Sequence, residues 1–542
     1  MTIDTHQVTN QPPPLLDYDA AAADPMINAV LTDYHADPAG LSELGKLITG
    51  AEVQQWADEA NVHPPALHSH DRYGHRIDEV DFHPSWHRLM ELSVGHGLHA
   101  AAWLDDHDHR HLRRAAGFYL VSQAEAGHGC PISMTYSILP ALRRNSALME
   151  RYGPGLTSRV YDFGLTDPER KQGLIAGMGM TEKQGGSDVR ANTTRAVDQG
   201  DGTYLVTGHK WFCSAPMSDL FLILAQLDPG RTGKDGGLSC FCVPRVLPGG
   251  TRNVVRLQRL KDKLGNRSNA SSEVEFADTV GWLVGEPGRG VNAILEMVAM
   301  TRLDCVIGSA AGQRAALAQA IHHARHRRAF GATLISQPLM INVLVDLALE
   351  SMGSSALALR LAAAVDADEA ELLRVALPAA KYWTCKRTPA VVGEALECLG
   401  GNGYVEESPM PRLFRESPLN AIWEGSGNVI ALDLVRALTR QPAALEAVLE
   451  ELDRAAGNDR GYDRALARWR DDVREPSEAG ARRLAGDLGR LLQAAQLQRF
   501  APAEVAELFC ATRFDADRDQ LFGTLPAAAV DGAAKLLELA FP

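Results

Sequence analysis

The spacing of apolar residues divides the chain into stretches of different period. Over 41–172 the spacing is mostly helical, broken by the run Val62-His63-Pro64-Pro65 and by the polar run 105–111, DDHDHRH. Over 173–285 it becomes short β-rich runs at 204–207, 220–224, 238–243 and 273–276, separated by Asp, Gly and Pro turns. Over 286–440 helix returns, rich in alanine and leucine, with amphipathic faces suited to a bundle. The last stretch, 441–542, is helical again, and residues 1–40 read as an extended arm around Gln11-Pro12-Pro13-Pro14 leading into a first helix. Arms of this kind pack on partner subunits. The pattern predicts an α+β protein with a helical N-terminal domain, a compact middle β domain, a C-terminal helical bundle and an extra helical segment.

Four stretches depart from ordinary elements. The first, 177–188, reads GMGMTEKQGGSD. Its four glycines weaken regular structure while Thr181, Glu182, Ser187 and Asp188 place hydrogen-bonding groups between them, so it is a binding loop for a flat or phosphorylated ligand, or else a long surface turn. The second, 208–214, follows a strand with Trp211-Phe212 and ends in Cys213-Ser214, either core aromatics or a ligand wall. The third is the basic run 322–331, HHARHRRAFG, at a helix end, which either clamps a diphosphate or is a solvated face. The fourth pairs the glycine-rich break 397–404, ECLGGNGY, with 422–428, IWEGSGN, where Glu424 is a lone carboxylate beside an aromatic and small residues, placed to act as a general base.

Charge and cysteine usage narrow the partners. A net charge of −14 opposes bulk attraction to nucleic acid or anionic membrane without excluding a local basic face. The eight cysteines are scattered, with no C-x-x-C pair, which reads as a reducing cytoplasm without a metal site. The His/Asp run 105–111 lacks zinc-site spacing and reads as a solvated loop. No apolar run near 20 residues suggests a membrane span, and neither a Rossmann G-x-G-x-x-G nor a Walker loop is present. The arginines from Arg464 to Arg483 alternate with a larger number of acids, the pattern of a salt-laced surface.

Taken in this order, the stretches resemble the acyl-CoA dehydrogenase family of flavoproteins. Residues 179–188, GMTEKQGGSD, match its first signature, and Glu397, Gly400, Gly401, Gly403 and Tyr404 through Arg412 and Glu416 match its second. More narrowly, 177–188, the run 259–270 (RLKDKLGNRSNA), the start Asn10-Gln11-Pro12, the motif Phe82-His83-Pro84 with Trp86-His87 and the extra C-terminal helices are similar to the AidB-like adaptive-response flavoproteins. The resemblance implies FAD, with Met178, Met180, Thr181, Gly186 and Ser187 meeting the isoalloxazine and Phe212, Cys213 and Ser214 bordering it. It implies that Arg327, Phe330, Gln337, Gly400 and Gly401 serve the adenine and diphosphate end across a subunit boundary, hence a homotetramer.

The same resemblance puts Ile422, Trp423, Gly425, Ser426 and Asn428 over the cofactor and makes Glu424 the base, with Thr181, Ser187, Arg302 and Asn428 toward an acyl-CoA. Some relatives carry the base just before the position of Arg302, where Thr301 stands here, and tyrosine is usual where Trp423 stands. The AidB-like relatives also imply association with double-stranded DNA, through Arg436, Arg440 and Arg513. The leading expectation is α,β-dehydrogenation of a short or branched acyl-CoA. The rivals are a DNA-associated flavoprotein with weak dehydrogenase activity, a nitroalkane-type oxidase, which uses aspartate as base, and an oxygen-using acyl-CoA oxidase.

Overall fold

The computed structural model describes residues 5–104, 107–228, 236–514, 521–530 and 532–541. Its contacts define two compact units, one of residues 52–110 and 125–304 and the other of residues 1–51, 111–124 and 305–542.

The first unit is built on seven strands: β1 (Ala176–Gly179), β2 (Arg195–Asp198), β3 (Tyr204–Ser214), β4 (Leu220–Asp228), β5 (Gly237–Pro244), β6 (Val255–Leu260) and β7 (Ser271–Val284). Their order is β1-β4-β2-β3-β7-β5 with β6 paired to β7, and a further β4–β5 pairing joins five strands into a closed, barrel-like ring. The apolar run of β4 is buried over almost its whole length, which explains why it lacks the alternation of a one-sided strand. Phe221, Ile223, Phe241, Val243, Val206, Val274 and Phe276 fill the interior. β3 is longer than its sequence suggested, because register shifts at Val206/Gly208 and Lys210/Cys213 carry the strand past Gly208 instead of ending it.

The apolar spacing also hid a hairpin, Ala66–His70 with Arg76–Asp81, inside a segment expected to be helical. Its burial alternates residue by residue, and it is held to the barrel by long-range bonds. Arg76 Nη2 donates to the Leu257 carbonyl at 2.7 Å, Asp78 Oδ1 accepts from the Leu257 N–H at 3.0 Å, and buried Arg245 donates to the Asp78 carbonyl at 2.9 Å. Of the polar run 105–111, Asp105 and Asp106 lie outside the described residues. His111 lies in the helix Arg110–Ala124, and no metal-ligating group of His, Cys, Asp and Glu exists among the described residues.

The second unit is helical: the C-terminal part of α1 (Gly290–His326), then α2 (Pro338–Asp366), α3 (Ala370–Cys398), α4 (Gly427–Arg440), α5 (Pro442–Asp453), α6 (Ala481–Phe500) and α7 (Ala503–Arg513). By length and composition α2 could cross a membrane, but it is largely buried in this unit as a core helix. The helices after 440 are joined to the bundle through buried charge. Arg360 on α2 makes two bonds of 2.9 Å to Glu451 on α5, and Gln496 on α6 donates to the same carboxylate at 3.0 Å. A second junction pairs Arg513 on α7 with Asp346 on α2 at 2.5 Å. Removing one member of such a pair leaves a buried charge uncompensated, so these contacts bind the extra helices more firmly than surface pairs would.

Candidate active site

The loop after β1 is held from beneath by one carboxylate. Glu182 is fully buried and accepts from the Thr193 N–H at 2.7 Å, the Thr193 hydroxyl at 3.0 Å, the Thr194 N–H at 3.1 Å, Gln184 Nε2 at 2.7 Å and the Lys210 ammonium at 2.9 Å. Lys210 in turn donates to the Leu224 carbonyl at 2.7 Å. Burial alone would raise the Glu182 carboxyl, but bonds from Thr193, Thr194 and Lys210 reverse this and hold it well below the usual carboxylate range. With Glu182 turned inward, Thr181 is left half-buried and residues 183–188 lie exposed.

Further bonds fix the loop's entry. The Trp211 N–H donates to the Thr181 carbonyl at 2.8 Å and Asn192 Nδ2 to the Met180 carbonyl at 2.9 Å. Gly186 is required by space, since a Cβ there would lie 2.4 Å from the Thr181 hydroxyl oxygen. Beside the loop, Phe212 is 55% exposed, an unusual state for a large aromatic on a barrel strand and suited to a flat ligand. Ser214 is half-buried. The Cys213 thiol is buried in the barrel core, and burial pushes it up to about 12, so its side chain does not face the exposed surface beside Phe212. Met178, on β1, is likewise nearly buried and offers main-chain groups. Arg302 is half-buried on the N-terminal part of α1 in this unit.

The carboxylate loop lies in the helical unit, between the short turn Leu419–Ala421 and α4. Glu424 is partly exposed and has φ +57°, and Gly425 follows at φ +107°. A left-handed conformation at a non-glycine residue costs roughly 1–3 kcal/mol and persists only where the surroundings enforce it. The enforcing group is one the sequence did not signal: Lys381 on α3, 2% exposed, donates to the carbonyls of Asn420 at 3.0 Å, Trp423 at 2.9 Å and Gly425 at 2.8 Å. The Trp423 indole N–H closes on Asn420 Oδ1 at 2.8 Å, and Asn420 Nδ2 reaches Ser309 on α1 at 3.1 Å. Ile422, Ser426 and Asn428 are exposed around this anchored turn.

The residues expected at a diphosphate are gathered in the same unit, and the N-terminal arm does the gathering. Arg327 Nη1 donates to the Asn10 carbonyl at 2.6 Å, the Asn10 side chain brackets the Arg328 peptide at 2.7 and 2.8 Å, and Asn402 donates to Gln11 Oε1 at 3.0 Å. Consecutive arm residues therefore touch both the basic run and the glycine break. The carbonyls of Pro13 and Phe541 also bond to this run, through His322 and Arg325, so part of it fastens the chain's two ends. Phe330 is fully exposed at the tip of the small hairpin 328–333, and Gln337 Nε2 donates to the Ala329 carbonyl at 3.0 Å. Gly400 has φ +60°, and a Cβ on it or on Gly401 would meet nothing within 4 Å.

Two other arrangements are not sites. Ser93, His128 and Glu125 form a hydrogen-bonded line of 2.9 and 2.7 Å like that of a serine hydrolase, but all three are sealed from solvent. Glu125 also accepts from Ser268 at 2.7 Å and Asn61 at 3.0 Å, making the line a buried junction between helices and barrel. Burial opposes ionisation of Glu125, but the bond and charge of His128 bring its carboxyl down to about 2. Arg513 must be withdrawn from the expected DNA face. It is 6% exposed and committed to Asp346, whereas Arg436 and Arg440 are exposed on α4.

In the first unit, the exposed residues 183–188 beside an exposed aromatic suit a flat ring. In the second unit, the open space at Gly400–Gly401 and the guanidinium of Arg327 suit a diphosphate. The comparisons agree. Residues 10–163 match the adaptive response protein AidB N-terminal domain, residues 177–279 the acyl-CoA dehydrogenase middle domain and residues 288–439 its C-terminal domain. The chain is 46% identical over 519 residues to the putative acyl-CoA dehydrogenase AidB of Escherichia coli, covering 94% of this chain and 95% of that protein. The crystal structure of Caenorhabditis elegans ACDH-11 in complex with C11-CoA is similar with a TM-score of 0.84 at 26% identity, over 99% of this chain and 98% of that one. An acyl-CoA dehydrogenase complexed with FAD from Bacillus anthracis shares the fold at 18% identity and a TM-score of 0.63, over 84% of this chain and 83% of that one. With its loop, its carboxylate turn and these matches in agreement, the chain belongs to the AidB branch of the acyl-CoA dehydrogenase family, flavoprotein oxidoreductases whose cofactor is FAD.

Proposed function

We propose that this protein removes one hydrogen from each of the α and β carbons of a short or branched acyl-CoA, with Glu424 as the base. The observation that carries the reading is the carboxylate of Glu424 held in a left-handed turn, where strain of this kind accompanies function. FAD, when bound, supplies the acceptor for the β hydride. The thioester carbonyl acidifies the α carbon, and the α proton passes to the Glu424 carboxylate, which must lie on the opposite side of the substrate from the acceptor.

Each remaining residue has a part that its surroundings permit. Main-chain groups of Met178, Met180, Gly186 and Cys213, with the hydroxyls of Thr181, Ser187 and Ser214, orient the ring, and Phe212 borders it. Arg327 and the Gly400–Gly401 turn take the diphosphate, with Phe330 and Gln337 toward the adenine. Arg302 and Asn428 hold the substrate, and Trp423, larger than tyrosine, narrows the acyl space. Exposed Phe330, Leu339 and Tyr404 are apolar surface that further copies of the chain would cover in a homotetramer. Eight free cysteines suit a cytoplasmic protein.

The test is anaerobic bleaching of the flavin by a panel of acyl-CoAs. Glu424→Gln should keep the flavin spectrum and lose the bleaching; a variant that still bleaches removes Glu424 as the base. A second reading, DNA association, is favoured by exposed Arg436 and Arg440, four residues apart on one face of α4. Salt-titrated binding of duplex DNA tests it, with each arginine removed expected to reduce the salt slope by about 1. Unchanged slopes would discard it.

A further inference from the structure

We infer that Lys381 is a positioning residue for the base, acting through the backbone on either side of Glu424; the inference rests on the reading of Glu424 just given. Lys381 lies far from the turn in sequence, on α3, and its ammonium is almost completely buried. An ammonium has three N–H donors, and here they meet three carbonyls, those of Asn420, Trp423 and Gly425.

Two of those carbonyls flank the base. Joining the Trp423 and Gly425 oxygens through one nitrogen closes a small ring whose only soft torsions are φ and ψ of Glu424 and Gly425. Both residues have positive φ, so the closed ring is what keeps the left-handed turn and sets the direction of the Glu424 side chain. The third carbonyl adds a second support, because Asn420 is tied to the Trp423 indole and to Ser309 on α1. A buried cation is a costly way to hold an ordinary loop. It suits a turn that crowds three carbonyl dipoles together and must not relax. Arginine would not replace it, because a planar fork does not fit three converging acceptors.

The experiment compares wild type with Lys381→Met, which keeps the length and removes the cation, and Lys381→Gln, which keeps a donor. Hydrogen exchange over 419–428 is measured on the flavin-loaded proteins. Turnover is measured with butyryl-CoA, isovaleryl-CoA and undecanoyl-CoA and an artificial electron acceptor. Expected for Lys381→Met are exchange in 419–428 faster by at least roughly tenfold, with flavin content and exchange elsewhere unchanged, and kcat lower by about 10²-fold while KM moves by less than about threefold. Lys381→Gln should fall between and covers the case in which the methionine variant does not fold. Wild-type exchange in 419–428 in the variants overturns the inference whatever the activity. Lost kcat matched by an equal loss of flavin also overturns it, since the lysine would then serve general stability. If Glu424→Gln is as active as wild type, the base assignment fails instead, and the exchange result still decides whether Lys381 holds the turn.

Discussion

Replacing Glu182 by glutamine keeps the shape of the side chain and removes one charge from a pair in which both members are fully buried. The amide keeps one acceptor oxygen, but its N–H₂ must face either the Thr194 N–H and the Lys210 ammonium, which share Oε1, or the donors of Thr193 and Gln184, which share Oε2. Breaking a buried pair from one side costs about 3–5 kcal/mol, which is roughly 10²- to 10³-fold or more in a local opening equilibrium. Because a chain with two compact units need not unfold in one step, the assay is hydrogen exchange of the segment 177–194 rather than a single unfolding free energy. Exchange there should rise by that factor, and flavin retention should weaken with it. The double variant Glu182→Met with Lys210→Met should recover only the charge part of the loss, since it leaves no orphan charge but takes the acceptor from the Thr193 and Thr194 N–H groups. The pH dependence has a definite sign. The folded carboxyl is depressed, so its contribution is complete above the ordinary glutamate range and is lost only as pH falls below it. Glu182→Gln should be flat across that acid limb. An exchange increase under about fivefold would refute the view that this pair holds the loop.

Further expectations concern other groups. Arg513→Ala should destabilise the helical unit by about 3–5 kcal/mol through the orphaned Asp346, visible as an earlier thermal transition, and should leave the salt slope of any DNA binding unchanged. Burial, with Arg327 and His322 adding to it, brings His323 down to about 4. His323 therefore contributes stability that is present above the ordinary histidine value and lost as pH falls from about 6.5 to about 4, and His323→Leu should flatten the fall of the thermal midpoint over that window. An unchanged slope would mean that His323 titrates normally. Glu451→Gln should loosen α5 and α6 from α2 and speed exchange in all three, because the amide removes the charge that pairs with buried Arg360 and leaves one oxygen where the carboxylate offered two; protection unchanged in α5 would exclude that coupling.

What could be read along the chain was what short-range pattern carries. Helical and strand periods located the β-rich middle and the helices around it, because burial on one face leaves its mark every 3.6 or every 2 residues. Glycines and hydroxyls at 177–188 announced a loop, and the carboxylate among small residues at 424 announced a candidate base. The hairpin 66–81 escaped, since its alternation is weak and its hold on the barrel comes from Leu257 and Arg245, far along the chain. β3 was cut short at Gly208 because a glycine reads locally as a turn, while the sheet absorbs it as an irregularity. Partnership between charges was not legible at all. Arg513 was expected on a DNA-facing surface only through the family resemblance, Glu182 looked like one more polar group of its loop, and nothing in the sequence sets Lys381 apart. Only the tertiary structure decided that each is buried against named partners, because the energy of a charge depends on what lies within a few ångströms of it, and those neighbours come from distant parts of the sequence.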